Sequence, residues 1–199
     1  VDGKVQVARE DFEKAARFNP LLFEPHLELG RILQEQKDFE GALPALNQAV
    51  GLTRGSNDRA LFARGRLHLD RKDWEAAIQD FNAVLQLKPD HIDSLNQRGW
   101  AFFCKGDLVR ALADVDRVLA LEPRHASVLV VKGRLLFRNK DWMGAVEVFS
   151  QALQLEPENF QARLLRGAAC YNKGCLKEAV EDLDACLEAR PDHHGARYF

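Results

Sequence analysis

The chain has 199 residues, 46% of them hydrophobic, and a formal net charge of −2. This near balance, with a pI of about 6.3, leaves no basic excess for nucleic acid or an anionic membrane. No apolar run approaches the roughly 18 residues that span a bilayer, so membrane insertion is not expected.

Length alone allows one or two domains, but glycine recurs on a fixed beat. Gly30, Gly65, Gly99, Gly133 and Gly167 stand 35, 34, 34 and 34 residues apart, and Pro89, Pro123, Pro157 and Pro191 each follow one of the last four by 24 positions. A period of roughly 20–50 residues means stacked copies of one supersecondary unit, each resting on its neighbours.

In chain order, residues 1–22 come first. Ala8, Phe12, Ala15 and Pro20 match the second helix of a preceding repeat whose first helix is absent. Five full repeats follow, 23–56, 58–91, 92–125, 126–159 and 160–193, with Asn57 inserted after the first, and 194–199 open a further truncated repeat. Both ends read as cut from a longer array, and their unpaired apolar faces suggest end-to-end self-association through uncapped terminal helices.

Each full repeat predicts two helices of about 13 residues from its apolar spacing. Asp38, Asp73, Asp107 or Asp141 precedes the second helix as N-cap, and Cys175 takes that place in the fifth repeat. Proline then ends the second helix. Twelve residues after each glycine stands Ala42, Ala77, Ala111, Ala145 or Ala179, and four residues later Leu46, Phe81, Val115, Phe149 or Leu183. Glycine opposite alanine lets two antiparallel helices approach closely, and the larger residue fills the space beside them. Pro44, inside the second helix of the first repeat, and the following 51–57 connection mark the place for a kink or hinge or, equally, a neutral loop variation.

Before each glycine stand Leu29, Arg64, Arg98, Lys132 and Arg166; sixteen residues later stand Ala45, Asp80, Asp114, Val148 and Asp182. The spacing predicts Arg64–Asp80, Arg98–Asp114 and Arg166–Asp182 pairs, because the planar guanidinium donates two hydrogen bonds to one carboxylate. Lys132 with Val148 is the exception.

The recurring glycine, alanine, large residue, second small residue and proline resemble the tetratricopeptide repeat (TPR) family over 23–193. The family's tryptophan position instead holds His26, Leu61, Leu95, Leu129 and Arg163, and the first repeat has Arg54 in place of the terminal proline. The resemblance implies an all-α fold, a right-handed α-α superhelix (TPR solenoid) of antiparallel helix pairs, serving as a protein–protein interaction scaffold. It also implies a concave groove lined by the first helices, at the second, fifth, sixth, ninth, twelfth and thirteenth positions of each repeat. In the second repeat these are Arg59, Phe62, Ala63, Arg66, Leu69 and Asp70.

The candidate partner-binding residues are Arg66, Trp100, Phe103, Val130, Val131, Arg134, Phe137, Arg138, Leu164, Leu165 and Tyr171. Aromatic residues with arginine are enriched at protein-binding hot spots, so the expected partner is a protein or peptide segment with apolar and acidic side chains. Alternatives are a structural segment of a large assembly, or a substrate-recruiting module of an enzyme whose catalytic domain lies outside these residues. The groove positions do not match the carboxylate clamp by which some family members hold a peptide's C-terminus.

No catalytic, cofactor or metal site is expected. P-loop, HExxH, GxSxG and dinucleotide fingerprints are missing. His91, His125 and His193 lie one repeat apart, too far to share a metal. Cys104, Cys170, Cys175 and Cys186 form no CxxC pair or zinc-ligand spacing. Free thiols and the lack of an N-x-[ST] sequon fit a cytoplasmic setting.

Overall fold

A computed structural model describes residues 2–198, all of whose regular structure is α-helical. The expected opening of a further repeat at 194–199 ends at Phe199, which lies outside the described residues. The helices are α1 (Asp2–Phe18), α2 (Phe23–Glu35), α3 (Phe39–Leu52), α4 (Asp58–Asp70), α5 (Trp74–Leu87), α6 (Ile92–Lys105), α7 (Leu108–Leu121), α8 (Ala126–Arg138), α9 (Trp142–Leu155), α10 (Phe160–Lys173), α11 (Leu176–Ala189) and α12 (His194–Tyr198). The chain forms two compact bodies, Val1–Gly106 and Asp107–Phe199, each built of stacked antiparallel helix pairs.

Local chemistry sets the helix starts. Asp38, Asp73, Asp107 and Asp141 accept hydrogen bonds from the backbone N–H of Gly41, Ala76, Arg110 and Gly144 at 3.0, 3.2, 3.0 and 3.0 Å, satisfying donors that the first helical turn leaves open. Cys175 makes no such bond to α11. Asn57, His91 and Asn159 cap α4, α6 and α10. Between the two helices of a repeat the chain passes through a left-handed residue. Gly106 and Gly174 supply it at φ 83° and 92°, Lys37, Lys72 and Lys140 at 61° to 62°. The second helices stop where proline forces its predecessor out of the helical region: Lys88, Glu122, Glu156 and Arg190 are extended.

The first, second, fourth and fifth repeats close on their glycines. An ideal Cβ on Gly133 would stand 2.5 Å from the Phe149 ring, so only glycine admits the close approach of α8 and α9. Around these contacts in the first, second and fourth repeats Ala42, Leu46, Ala49, Ala77, Phe81, Val84, Ala145, Phe149 and Ala152 are buried. The N-terminal core is centred on Leu27, Leu46, Leu61 and Leu67, the C-terminal one on Leu129, Phe149, Leu153 and Ala169.

The junction expected to kink or hinge is a hydrogen-bonded turn. Helix α3 runs through Pro44 to Leu52. Arg54 and Gly55 then take positive φ, Gly55 N–H donates to the Val50 carbonyl at 3.0 Å, and the Ser56 hydroxyl donates to the Thr53 carbonyl at 2.6 Å.

Candidate partner-binding face

In the N-terminal body the first helices α2, α4 and α6 lie side by side. Between α2 and α4 runs a cleft of about 290 Å³, lined by Leu27, Arg31, Gln34, Glu35, Arg59, Phe62, Ala63, Arg66 and Asp70. Its floor is apolar, because Leu27 and Ala63 belong to the core. Its walls are charged. Arg59 and Arg31 both donate to Glu28, at 3.0 and 3.3 Å, and Gln34 donates to Asp70 at 2.6 Å. Arg66 has no acid partner among the described residues. With Asp70 it also lines the adjoining depression between α4 and α6, beside Leu69, Gln97 and Trp100.

Trp100 is 49% exposed and stacks on Phe103, ring centroids 5.4 Å apart and planes 26° apart. The indole therefore offers a supported apolar face within the same depression as an unpaired guanidinium. The sequence list of contact residues omits Arg31, Gln34 and Glu35. The signal was present: the register that selects Arg66 and Trp100 selects these three when applied to the first repeat.

In the C-terminal body α8 and α10 carry the remaining candidates, and these divide by burial. Val131, Arg134, Arg138 and Tyr171 are exposed. Val130 is 8% exposed and belongs to the core, so it presents almost no surface. Phe137 stands edge-on to Trp142 with centroids 4.9 Å apart and packs, like Leu165, against that core. Leu164 packs on the smaller cluster of Leu183, Cys186 and Ala196. Arg134, like Arg66, has no acid partner among the described residues.

The arginines expected to pair internally do so within each body. Arg64 holds Asp80 through two bonds of 2.9 and 2.6 Å, and Arg166 holds Asp182 at 2.8 and 2.7 Å. Of the third expected pair, Arg98 lies in one body and Asp114 in the other. The hydrogen bonds that Arg166 donates to Asp182 hold its guanidinium above its ordinary pKa, against the opposing effect of its burial. These cations brace helices and are spoken for.

Among the described residues no group of three or more His, Cys, Asp or Glu side chains is placed to hold a metal ion, and no helix is long and apolar enough to cross a membrane. Burial pushes the Cys170 and Cys186 thiols above their ordinary pKa. At the ends of the chain, Leu176 and Val180 on α11 are exposed, whereas Ala8, Phe12 and Ala15 on α1 are half-buried.

A tetratricopeptide repeat family model matches residues 2–57, 27–92, 96–155 and 130–194. Among curated proteins, the peptidyl-prolyl cis-trans isomerase FKBP4 of Homo sapiens is 35% identical over 79 residues, which is 40% of this chain and 17% of that protein. Its Bos taurus counterpart is 37% identical over 82 residues, 41% of this chain and 17% of that protein. The match thus spans under a fifth of the length of these relatives. Among solved structures, YrrB, described as a TPR protein with an unusual peptide-binding site, aligns at TM-score 0.83 and 21% identity over 96% of this chain and 97% of its own. The Pseudomonas aeruginosa protein pilF aligns at TM-score 0.78 and 18% identity over 100% of this chain and 90% of its own. At such identities the likeness shows the fold alone.

Proposed function

Because the chain belongs to the tetratricopeptide repeat family, whose fold typically serves as a non-catalytic protein–protein interaction scaffold, we propose that it holds a partner segment bearing apolar and acidic side chains on the faces of its first helices. One observation carries this reading: exposed Trp100, stacked on Phe103, shares a depression with unpaired Arg66. An exposed aromatic platform beside a free guanidinium suits an apolar side chain next to a carboxylate. In the C-terminal body, exposed Val131 and Tyr171 with Arg134 and Arg138 offer apolar and cationic side chains on α8 and α10. Val130, Phe137, Leu164 and Leu165 support that face from beneath. The description of YrrB as a peptide-binding protein agrees with the reading.

The test is an array of synthetic peptides that pair tryptophan, phenylalanine or leucine with aspartate or glutamate, alongside a matched array with lysine replacing each acid. The acidic set binds the purified chain and the lysine set does not. Arg66→Glu and Trp100→Ala each abolish binding while helical circular dichroism is retained. Equal binding of both sets sinks the proposal.

A second reading is supported by the 35% identity to part of an isomerase: the chain recruits substrate to a catalytic domain carried elsewhere in a longer protein. The full-length sequence tests it, since such a domain would be legible beside the repeats.

A further inference from the structure

The turn between the two helices of a repeat is closed by one recurring backbone bond, and in the fifth repeat that bond joins two cysteines. The N–H groups of Asp38, Asp73 and Asp141 donate to the carbonyls five positions earlier, those of Leu33, His68 and Leu136, at 2.8, 2.8 and 3.0 Å. Cys175 donates to Cys170 in the same way at 2.9 Å. Such a bond around a left-handed residue, here Gly174 at φ 92°, brings the side chains of its two residues together. The second repeat shows how close they come: His68 Nδ1 and Asp73 Oδ2 lie 3.8 Å apart. The residues in these two places are Leu33 and Asp38, His68 and Asp73, Phe102 and Asp107, Leu136 and Asp141, and Cys170 and Cys175. Only the fifth repeat has a thiol in either place, and it has one in both.

The bond also limits how far apart the two backbones stand. Standard bond lengths put the Cα atoms of Cys170 and Cys175 within about 6.8 Å of each other, inside the span of roughly 4.4–6.8 Å that disulfides bridge. The two thiols differ in access. Cys175 is partly exposed, whereas Cys170 is 2% exposed, and burial raises its pKa. An accessible thiol backed by a second one is the arrangement of an attacking and a resolving cysteine. The cysteine at 175 also costs this turn a bond. Aspartate in its place caps the second helix in other repeats, and Cys175 makes no side-chain bond to α11.

We propose that Cys170 and Cys175 form a reversible disulfide, a redox-sensitive clasp across the turn from α10 to α11. The oxidant is a low-molecular-weight disulfide of the glutathione class. The Cys175 thiolate attacks one sulfur of that disulfide; its S–S bond breaks, one thiolate leaves, and a mixed disulfide forms on Cys175. Cys170, its proton passed to solvent, then attacks Cys175 Sγ and expels the second thiolate. Two electrons pass from the cysteine pair to the small disulfide, and the two thiol protons end on the two small thiols released. The clasp stands open in a reducing compartment and closes under oxidation. Neither this proposal nor the partner-binding reading depends on the other.

A disulfide map of the whole chain tests it. The reduced chain, freed of dithiothreitol, is incubated with excess oxidised glutathione, capped with iodoacetamide and digested with trypsin without reductant. Mass spectrometry finds the peptide Gly167–Lys173 joined to Gly174–Lys177, two hydrogens lighter than the separate pair, and dithiothreitol restores both thiols. The bridged chain melts at a higher temperature than the reduced one, because the link restrains the unfolded chain. Cys170→Ala stops the reaction at the mixed disulfide on Cys175, and Cys175→Ser leaves Cys170 a free thiol. Cys104→Ser with Cys186→Ala still forms the bridge. Helical circular dichroism confirms that each variant is folded. Thiols that all stay free overturn the proposal, as does glutathione retained on Cys175 of the unaltered chain. So does a bridge from either cysteine to Cys104, to Cys186 or to a second copy, or a Cys170–Cys175 bridge that leaves the melting temperature unchanged or lower.

Discussion

Lys132 Nζ lies 2.8 Å from Asp116 Oδ1, on the second helix of the preceding repeat. The fourth repeat has therefore moved its acid from its own second helix to that of the repeat before. Arginine can serve both sides at once, because its fork presents several donors in one plane: Arg64 reaches Asp80 and Asn47 together. An ammonium group is a compact point charge, and the acid of this repeat stands only in the helix before it, with buried Val148 on its own second helix.

That difference in placement predicts different costs of removal. The Asp182 side chain is 7% exposed, so Arg166→Met leaves a buried carboxylate without its partner and lowers stability by about 3–5 kcal/mol. The Asp116 side chain is 54% exposed, so Lys132→Met costs under about 1 kcal/mol. Urea unfolding of the two variants measures both, and equal losses would contradict the assignment.

Two glycines within helices respond oppositely to alanine. At Gly133 the new methyl meets the Phe149 ring at 2.5 Å, and overpacking of this kind costs about 1–3 kcal/mol. At Gly51, in α3, nothing stands within 4 Å of the added Cβ. There alanine gains from its higher helix propensity, by about 0.5–1 kcal/mol. Melting temperatures should move in opposite directions.

His68 carries a pH dependence. It occupies the position held elsewhere by Leu33, Phe102, Leu136 and Cys170, and its Nδ1 is buried without a hydrogen-bond partner. Burial lowers its pKa, against the opposing pull of Asp80 and Asp73 and with Arg64 and Arg71 adding to the lowering. A folded-state pKa below the unfolded value means that the unfolded chain binds the proton more readily. This contribution to stability is complete above the ordinary histidine pKa of about 6.5 and is lost as pH falls below it. His68→Leu removes this step and, by relieving the unsatisfied nitrogen, raises stability at neutral pH by about 1 kcal/mol. Denaturation midpoints on either side of that pH check both statements.

The cysteines divide into two classes. Cys170 and Cys186 are buried, and Cys104 and Cys175 are partly exposed. Thiolate is the reactive species, and burial raises the pKa of the first two. A maleimide added to the native chain labels Cys104 and Cys175 within the time that leaves the other two intact; mass spectrometry of tryptic peptides reads the order.

The sequence determined what depends on near neighbours and on the repeating register. Asp38, Asp73, Asp107 and Asp141 cap helices because each carboxylate reaches an N–H three residues ahead. Gly133 faces Phe149 because two helices joined by a short turn must pack back to back. Arg31, Gln34 and Glu35 were legible by the same register, once it is extended to the first repeat. Tertiary structure decided what depends on the neighbouring helix. Val130 and Val131 are adjacent and equally apolar, yet one lies in the core and the other faces out, because helical periodicity places both near one face without saying how far the next helix overlaps it. Asp116 as the partner of Lys132 belongs to the same class: the pair joins two successive repeats, and only the stacking of those repeats brings it within reach.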